Sequence, residues 1–154
     1  MANTGKHLYG PVPSRRLGLS LGIDLVPFKT CTLDCVYCQL GKTTRKTIER
    51  KEYVPVNDIL AELQEVLEVG LQADYITLGG SGEPTLHSGI GRLIAGIKKI
   101  TSIPVAILTN STLFYLPEVR KDCANADVIL PSLDAGDQQT YEANKAQLEA
   151  AFRQ

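Results

Sequence analysis

Three cysteines stand close together in the first third of the chain, at Cys31, Cys35 and Cys38, in the spacing C-x3-C-x2-C. Thiolates this close can wrap one corner of a compact metal centre. A structural zinc site needs four ligands, and a ferredoxin-type [4Fe–4S] cluster takes a fourth cysteine that precedes proline. The fourth cysteine here, Cys123, lies far along the chain and precedes alanine. If the three clustered cysteines hold a four-iron cluster, one iron is left open to a ligand.

Zinc is the alternative metal for these thiols. It would need His7, His87 or Cys123 as its fourth ligand, and neither histidine has the local spacing of a zinc finger. We expect both histidines to lie in turns or on the surface, and Cys123 to be a structural thiol.

Polar and glycine-rich residues lie at the carboxyl ends of three of the strands that the pattern predicts. They are Gly79–Glu83, Thr109–Asn110 and Ser132–Asp134. In parallel sheets, ligands bind at the edge where the carboxyl ends of the strands meet. We therefore expect these residues to face one ligand site. Turn and cap chemistry is the alternative role for the asparagine, the serine and the aspartate.

The elements that must position these residues alternate between strands and helices from about residue 18 onward. Asn57 is predicted to cap the first helix, and Gly70 to end it. The predicted strands are Leu19–Val26, Tyr75–Leu78, Pro104–Leu108 and Val128–Leu133; the predicted helices are Asn57–Val69, Ser88–Ile100, a short one from Pro117, and a last one that Asp137 caps and that reaches toward Phe152. Such repeated units indicate an α/β fold with a parallel sheet, curved or closed into a partial (β/α) barrel.

The cysteine loop resembles that of the radical S-adenosylmethionine (SAM) superfamily. Its motif is C-x3-C-x-aromatic-C, with Tyr37 as the aromatic residue. The order of motifs also agrees, because the cysteine loop follows the first predicted strand and the SGEP stretch follows the second. The resemblance extends from about Gly10 to Ala135. Within the superfamily, the PSRR and KTCTLDCVYC runs are similar to those of Fe–S oxidoreductases related to the tRNA wybutosine-synthesis enzymes.

The resemblance implies a pair of cofactors and a reaction. Cys31, Cys35 and Cys38 would ligate a [4Fe–4S] cluster, and SAM would chelate the open iron through its amino and carboxylate groups. An external electron donor of the flavodoxin or ferredoxin type would supply an electron that breaks a bond of the sulfonium. The resulting 5′-deoxyadenosyl radical would abstract hydrogen from an unknown substrate. The protein would bind, orient and tune these groups.

The resemblance also implies a set of contacts with SAM. The glycine-rich turn would correspond to the family's GGE motif, whose backbone accepts the SAM amino group; its members here are Gly79, Gly80, Ser81, Gly82 and Glu83. Ser81 stands where many members have the first glycine, and a small residue preserves a close approach of backbone to ligand. The other implied contacts are the backbone of Tyr37, with Asn110, Ser132 and Asp134.

The length of the chain conflicts with a complete barrel of this family. Eight β/α units take about 250 residues, so the six-unit core of the family needs roughly 190. From Ser20 to Gln154 there is room for about four units. We therefore expect residues 1–154 to form a single radical SAM core domain that is incomplete at its C-terminus. The alternative to an enzyme is a truncated module that binds the Fe–S cluster, or zinc, without turnover; a glycyl-radical activase is a third option.

Two features of the sequence predict partners. The last strand would leave an unpaired parallel edge, which favours self-association of the chain. The basic stretch from Lys42 to Lys51 favours an anionic substrate such as RNA. A solvated loop is the alternative role for this stretch, because no aromatic residue interleaves with it. Arg15 and Arg16 could hold a phosphate or a carboxylate, or lie on the surface.

Composition excludes several classes of protein. With 44% hydrophobic and 21% charged residues among 154, the chain is neither disordered nor collagenous. No apolar run approaches the roughly 20 residues of a membrane span, and the N-terminus lacks the apolar core of a secretory signal. We therefore expect a cytoplasmic protein with no membrane partner. In such reducing surroundings, clustered cysteines indicate a metal or catalysis rather than disulfides.

Overall fold

The computed structural model describes residues 5–133 and 136–141 as a mixed α/β fold. The strands are β1 Leu8–Ser14, β2 Gly18–Ile23, β3 Thr30–Cys31, β4 Arg45–Lys46, β5 Tyr75–Leu78, β6 Val105–Thr109 and β7 Val128–Pro131; the helices are α1 Val56–Glu68, α2 Ile90–Ile100 and α3 Pro117–Cys123. Five strands form the main sheet in the order β1-β2-β5-β6-β7, and β3 and β4 form a small separate sheet.

Four strands of the main sheet run parallel. Leu21 of β2 pairs with Ile76 of β5, which pairs with Val105 of β6, and Ile107 of β6 pairs with Ile129 of β7. The strand order advances in one direction and β–α–β crossovers are right-handed, so the three helices cover the same face of the sheet. On that face α2 packs against both α1 and α3. The described helices therefore leave the opposite face of the sheet open to a ligand.

The hydrophobic core lies between the sheet and its helices. Successive side chains of a strand point to opposite faces, so alternate strand residues enter the core. The fully buried ones are Leu21, Ile23, Ile76, Leu78, Val105 and Ile107 from the strands and Ile59, Leu63, Leu93, Ile94 and Ile97 from the helices. Burying one such side chain contributes about 1.5–3 kcal/mol, so this core holds the strand ends in place.

The first helix begins one residue earlier than the sequence analysis predicts. Its start is Val56, and the N–H of Val56 donates to Oε1 of Glu52 at 2.8 Å. The prediction that Asn57 caps this helix is wrong, because a carboxylate from before Pro55 reaches the helix start first. At the other end, Gly70 has φ of 85° and follows the helix as predicted.

Strand β1 was missed by the sequence analysis. Its sequence, LYGPVPS, contains two prolines, which are tolerated because β1 is an edge strand whose one neighbour among the described strands is β2. The two strands pair antiparallel, with an irregularity between Tyr9 and Val12. The ring of Tyr9 lies across Gly22, where an added Cβ would come within 2.0 Å of the ring. Packing of β1 on the sheet therefore requires a glycine at position 22.

The helices of the described residues are short. The longest, α1, has 13 residues, and none of those described is long and apolar enough to cross a membrane. The last predicted helix begins at residue 138, after Asp137, whose Oδ1 accepts the N–H of Thr140 at 2.8 Å. The predicted cap is thus present, and the course of that helix toward Phe152 lies outside the described residues.

His87 was expected in a turn or on the surface; it lies at the end of a turn, and it is fully buried, so the surface alternative is wrong. It follows a 3-10 turn, Pro84–Leu86. Its Nδ1 accepts the N–H of Gly89 at 3.0 Å, so Nε2 carries the ring hydrogen and donates it to the Val54 carbonyl at 2.8 Å. Burial lowers the pKa of His87 below its usual value, because the charged form would lose its hydration.

We expect His87 to make the fold less stable in acid. The ring stays neutral when folded, whereas the unfolded chain takes up a proton near pH 6.5. The stability that His87 contributes is therefore complete above about pH 6.5 and is lost as the pH falls from there toward the lower folded pKa. Urea unfolding between about pH 5 and 7.5 measures this loss, which should be smaller in His87→Gln. A His7→Gln control should keep the wild-type loss; equal losses in wild type and His87→Gln would contradict the assignment.

Candidate functional site

A cavity of about 730 Å³ opens on the face of the sheet opposite the helices. Strand side chains that point away from the core form its floor; they are Ser20, Thr77, Leu108 and Leu130. The predicted site residues that line the cavity are Cys31, Cys35, Tyr37, Cys38, Gly80, Ser81, Gly82, Glu83, Asn110 and Ser132. Gly79 directly follows β5 and precedes Gly80, and Asp134 lies outside the described residues. The fold thus gathers at one cavity residues that are up to about 100 positions apart in the sequence.

The cysteine loop is held by short-range turns and by the small sheet. Cys31 ends β3, and its carbonyl accepts the N–H of Thr47 at 3.0 Å, just after β4. The N–H of Cys38 donates to the carbonyl of Cys35 at 3.1 Å, and the N–H of Gly41 donates to that of Cys38 at 2.9 Å. None of the three cysteines forms a disulfide, and all three are partly exposed. The loop therefore presents its sulfur atoms to the cavity without a disulfide.

The surroundings of Cys31 affect the protonation of its thiol. Burial raises its pKa, and the backbone N–H groups of Leu33 and Thr32 act in the opposite direction. The side-chain amide of Asn110 lies 3.5 Å from its sulfur and 2.8 Å from the hydroxyl of Thr32. The thiol therefore keeps its proton in the free protein, and a metal would have to displace that proton to bind.

The sequence suggests two metal groups for the three cysteines, a zinc ion or an Fe–S cluster, and the two need different arrangements of the sulfur atoms. Within the part of the chain that the structure describes, no three His, Cys, Asp or Glu side chains are grouped to hold one metal ion. A [4Fe–4S] cluster does not require its ligands to meet at one metal ion, because each cysteine binds a different iron and the cysteine sulfurs lie apart around the cluster. Three cysteines that line one cavity and form no disulfide fit a cluster of this kind.

Lys29 is a buried cation beside the cysteine loop that the sequence analysis did not single out. Its side chain donates to the carbonyl of Gly41, and its Nζ lies 3.5 Å from the sulfur of Cys38. Its φ of 61° lies in the left-handed region, which costs about 1 kcal/mol or more for a residue with a side chain. The surrounding structure thus holds this lysine in an unfavourable conformation.

Glu83 ties the glycine-rich turn to the end of β6. Its carboxylate is 2% exposed. Oε1 accepts the N–H of Thr85 at 3.1 Å and the hydroxyls of Thr85 and Thr109 at 2.6 Å each, and Oε2 accepts the N–H of Asn110 at 2.8 Å. Both oxygens of the carboxylate therefore accept hydrogen bonds from the chain itself, and the carboxylate acts on the site by positioning Asn110.

The glycine-rich turn also contacts Asp24, directly after β2, and Lys29, beside the cysteine loop. The N–H of Ser81 donates to Oδ1 of Asp24 at 2.7 Å, and the carbonyl of Ser81 accepts the N–H of Lys29 at 2.7 Å. Gly80 has φ of 120°, and an added Cβ would lie 2.4 Å from Asp24 and 2.6 Å from the hydroxyl of Tyr9. Only glycine fits there, because the backbone conformation and the close contacts both exclude a side chain.

Tyr9 and Asp24 form a titratable pair at this turn. The Tyr9 hydroxyl donates to the carbonyl of Gly79 at 3.2 Å. Burial, together with the nearby charge of Asp24, raises the pKa of Tyr9 to about 12, and burial also raises the pKa of Asp24. The tyrosine therefore keeps its proton at neutral pH and serves as a hydrogen-bond donor.

We expect Gly82→Ala to disrupt the junction between the turn and the cysteine strand. A Cβ at Gly82 would lie 1.8 Å from the carbonyl oxygen of Thr30. That oxygen belongs to the backbone, so it cannot move away as the end of a flexible side chain could. Overpacking of this kind costs about 1–3 kcal/mol. Urea unfolding measures the loss. The matched control is Gly136→Ala, because no heavy atom of the described residues lies within 4 Å of a Cβ added there; equal stability of the two variants would contradict the contact.

Comparison with known proteins identifies the class to which this fold and site belong. Residues 25–151 match the model of the radical SAM superfamily, so the chain belongs to that superfamily. The chain is 49% identical over 137 residues to a protein of Brachyspira hyodysenteriae named GTPase Obg, a match to 89% of this chain and 20% of that protein. It is 42% identical to the UPF0026 protein MJ1312 of Methanocaldococcus jannaschii and 44% identical to the UPF0026 protein slr1464 of Synechocystis; these matches cover 86% and 87% of this chain, and 42% and 50% of the relatives. The chain thus spans between a fifth and a half of the length of these relatives.

Two residues at the site carried no sequence signal. Lys29 appears as an ordinary polar residue in the sequence, and its burial depends on contacts with distant segments. Tyr9 lies on the strand that the sequence analysis missed.

Arg16 is exposed and lines the cavity, whereas Arg15 is exposed and is absent from the residues that line it. Cys123 is fully buried in the core, in agreement with a structural thiol.

Proposed function

We propose that this chain binds a [4Fe–4S] cluster through Cys31, Cys35 and Cys38, and SAM beside it, and acts as a radical SAM enzyme. The observation that carries the proposal is that three cysteines outside any disulfide line the same cavity as the glycine-rich turn and Asn110. When bound, the cluster and SAM supply a 5′-deoxyadenosyl radical that abstracts hydrogen from a substrate. A flavodoxin- or ferredoxin-type protein would be the external electron donor.

The chain's own residues would bind and orient SAM in the cavity. A volume of about 730 Å³ falls within the range of about 300–1,000 Å³ that is usual for pockets that bind small molecules. The backbone of Gly80 to Gly82 can approach a ligand closely, since two of these three residues lack a side chain. Asn110 would hold Cys31 through its amide, while Ser132 and the backbone of Tyr37 border the remaining space.

Apolar residues of the cavity would keep water away from the reacting atoms. Leu33 and Leu40 come from the cysteine loop, and Leu108 and Leu130 come from the sheet. Leu108 is 40% exposed although it lies in the middle of the described sheet, as expected for a side chain that faces a ligand rather than the core. A carbon radical reacts unselectively, so an apolar wall protects it from side reactions.

Anaerobic reconstitution tests the proposal. The enzyme should bind close to four irons per chain and should release 5′-deoxyadenosine from SAM when dithionite is added. Iron binding without cleavage of SAM would instead support a cluster-binding module that lacks turnover. Stoichiometric zinc with no uptake of iron would overturn both. A chain with every cysteine replaced is the baseline for iron that adheres nonspecifically.

We propose RNA as the anionic substrate, approaching over the basic segment, residues 42–51. Lys42 and Lys46 are exposed, and Arg45 and Lys51 lie 5.6 and 5.1 Å from the ring centre of Tyr53. Since β4 pairs with β3, these cations border the cysteine loop. The substrate class agrees with the narrower resemblance to enzymes related to wybutosine synthesis. Neutralising Lys42, Arg45 and Lys46 together should weaken the binding of tRNA, and unchanged binding would rule out this surface.

We also propose that β7 pairs with a further strand. Among the described strands, its one neighbour is β6, and the unpaired N–H and C=O groups of such an edge can bind another strand. A strand from a longer form of the chain would extend the sheet toward the six-unit barrel of the family, whereas a strand from a second copy would form a dimer. Size-exclusion chromatography tests the second case, and a monomer with a sharp melting transition would contradict it.

A further inference from the structure

Lys29 connects three parts of the site through its backbone and its side chain. Its N–H donates to the carbonyl of Ser81 at 2.7 Å, and its carbonyl accepts the N–H of Arg45 at 3.1 Å. The residue is 3% exposed. The glycine-rich turn and β4 therefore hold its backbone on both sides, and the direction of its side chain is set by the fold.

The ammonium group of Lys29 is directed at the cysteine loop. Nζ donates to the carbonyl of Gly41 and lies 3.5 Å from the sulfur of Cys38. The five ion pairs found among the described residues do not include Lys29. A buried cation is costly unless an opposite charge lies near it. In the part of the chain that the structure describes, the candidate for that charge is the loop sulfur itself.

A cluster held by three thiolates would supply the missing opposite charge. Such a site carries a net negative charge, and a one-electron reduction makes it more negative. A fixed cation beside one of the sulfurs favours the reduced state, because the attraction grows with the negative charge. Little water lies between the two groups to weaken this attraction, since Lys29 is buried.

We propose that Lys29 is the counter-cation of the cluster and raises its midpoint potential through Cys38. The inference rests on the proposed function, because it requires that the cluster binds. Lys29 is a positioning residue in this scheme and does not touch SAM or substrate. The competing role is purely structural, in which the lysine only closes the loop through its hydrogen bond to Gly41.

The two roles are separated by variants that change the charge and the hydrogen bond independently. Lys29→Gln keeps an N–H donor for the carbonyl of Gly41 and removes the charge, whereas Lys29→Arg keeps both. Lys42→Gln is the matched control, because Lys42 is an exposed lysine one residue after Gly41. Each protein is reconstituted anaerobically, its iron content is measured, and its cluster is titrated with dithionite by electron paramagnetic resonance without SAM.

Lys29→Gln should bind iron and show at least a tenfold lower ratio of reduced to oxidised cluster at a given potential, which equals a midpoint 59 mV lower for one electron. Lys29→Arg and Lys42→Gln should match the wild type. If Lys29→Gln loses iron while Lys29→Arg keeps it, the charge is needed to retain the cluster, which also supports the proposal. Equal midpoints in wild type and Lys29→Gln, or loss of iron in Lys29→Arg as well, would overturn it. A wild type that takes up no iron would overturn the proposed function instead.

Discussion

Replacing Cys31, Cys35 or Cys38 with alanine is expected to abolish the binding of the cluster. Each of the three thiolates would hold a different iron, so loss of one leaves a cubane with two protein ligands. We expect the iron content after anaerobic reconstitution to fall from about four per chain to below about one, and the release of 5′-deoxyadenosine to fall below detection. Iron analysis and chromatography of the SAM products measure the two effects.

Cys123→Ala is the matched control for these variants. Cys123 is fully buried in the core and does not line the cavity, so its removal should leave the iron content unchanged. It should cost about 1 kcal/mol of folding stability, because a buried cysteine packs as a small hydrophobic residue. Retention of a full cluster in any one of the three loop variants, or its loss in Cys123→Ala, would show that the predicted ligand set is wrong.

Glu83→Ala is expected to have the largest effect on folding stability among substitutions at the site. The change leaves four donors without their acceptor: the N–H and hydroxyl of Thr85 and the hydroxyl of Thr109, which are buried, and the N–H of Asn110, which is partly buried. Each unsatisfied buried group costs about 1–3 kcal/mol, and the turn can relax in part. A loss of about 3–5 kcal/mol in the free energy of unfolding follows from these contacts. Urea denaturation measures it.

Glu83→Gln keeps the shape of this side chain and replaces one of its two acceptor oxygens with an N–H donor. The amide nitrogen can only donate, so it would face one of the four donors, and we expect a loss of about 1–3 kcal/mol. Glu65→Ala is the control, since Glu65 lies exposed on α1 and substitutions there change stability by about 0.5 kcal/mol or less. Stability of Glu83→Ala within about 1 kcal/mol of the wild type would contradict the network.

Much of the helical and parallel part of the fold could be predicted from the sequence. Strand β5 was predicted with its observed ends, and α1 and α2 differ from their predictions by one or two residues at an end. The apolar stripes of these helices and the short buried run of β5 follow from local periodicity, which needs no knowledge of distant contacts. Periodicity was sufficient here because these elements pack against one core.

Strands β1, β3 and β4 could not be predicted in the same way. β1 contains prolines and a glycine, and it forms because Gly22 of β2 leaves room for the ring of Tyr9. β3 and β4 have two residues each, and their pairing depends on hydrogen bonds between Lys29 and Arg45 and between Cys31 and Thr47. Such short pairs carry no periodic pattern, so nothing local distinguishes them from loop.

The sequence by itself determined the types of chemical group at the site and their order: three cysteines at a fixed spacing, then a glycine-rich turn, then polar residues after successive strands. Only the tertiary structure decided which side chains lie next to those groups. The amide of Asn110 lies 3.5 Å from the sulfur of Cys31, although 79 positions separate them, because the carboxyl ends of parallel strands meet at one edge. The burial of Lys29 and Glu83 was decided in the same way, since a charged side chain is exposed by default and enters the interior only where distant segments supply its partners.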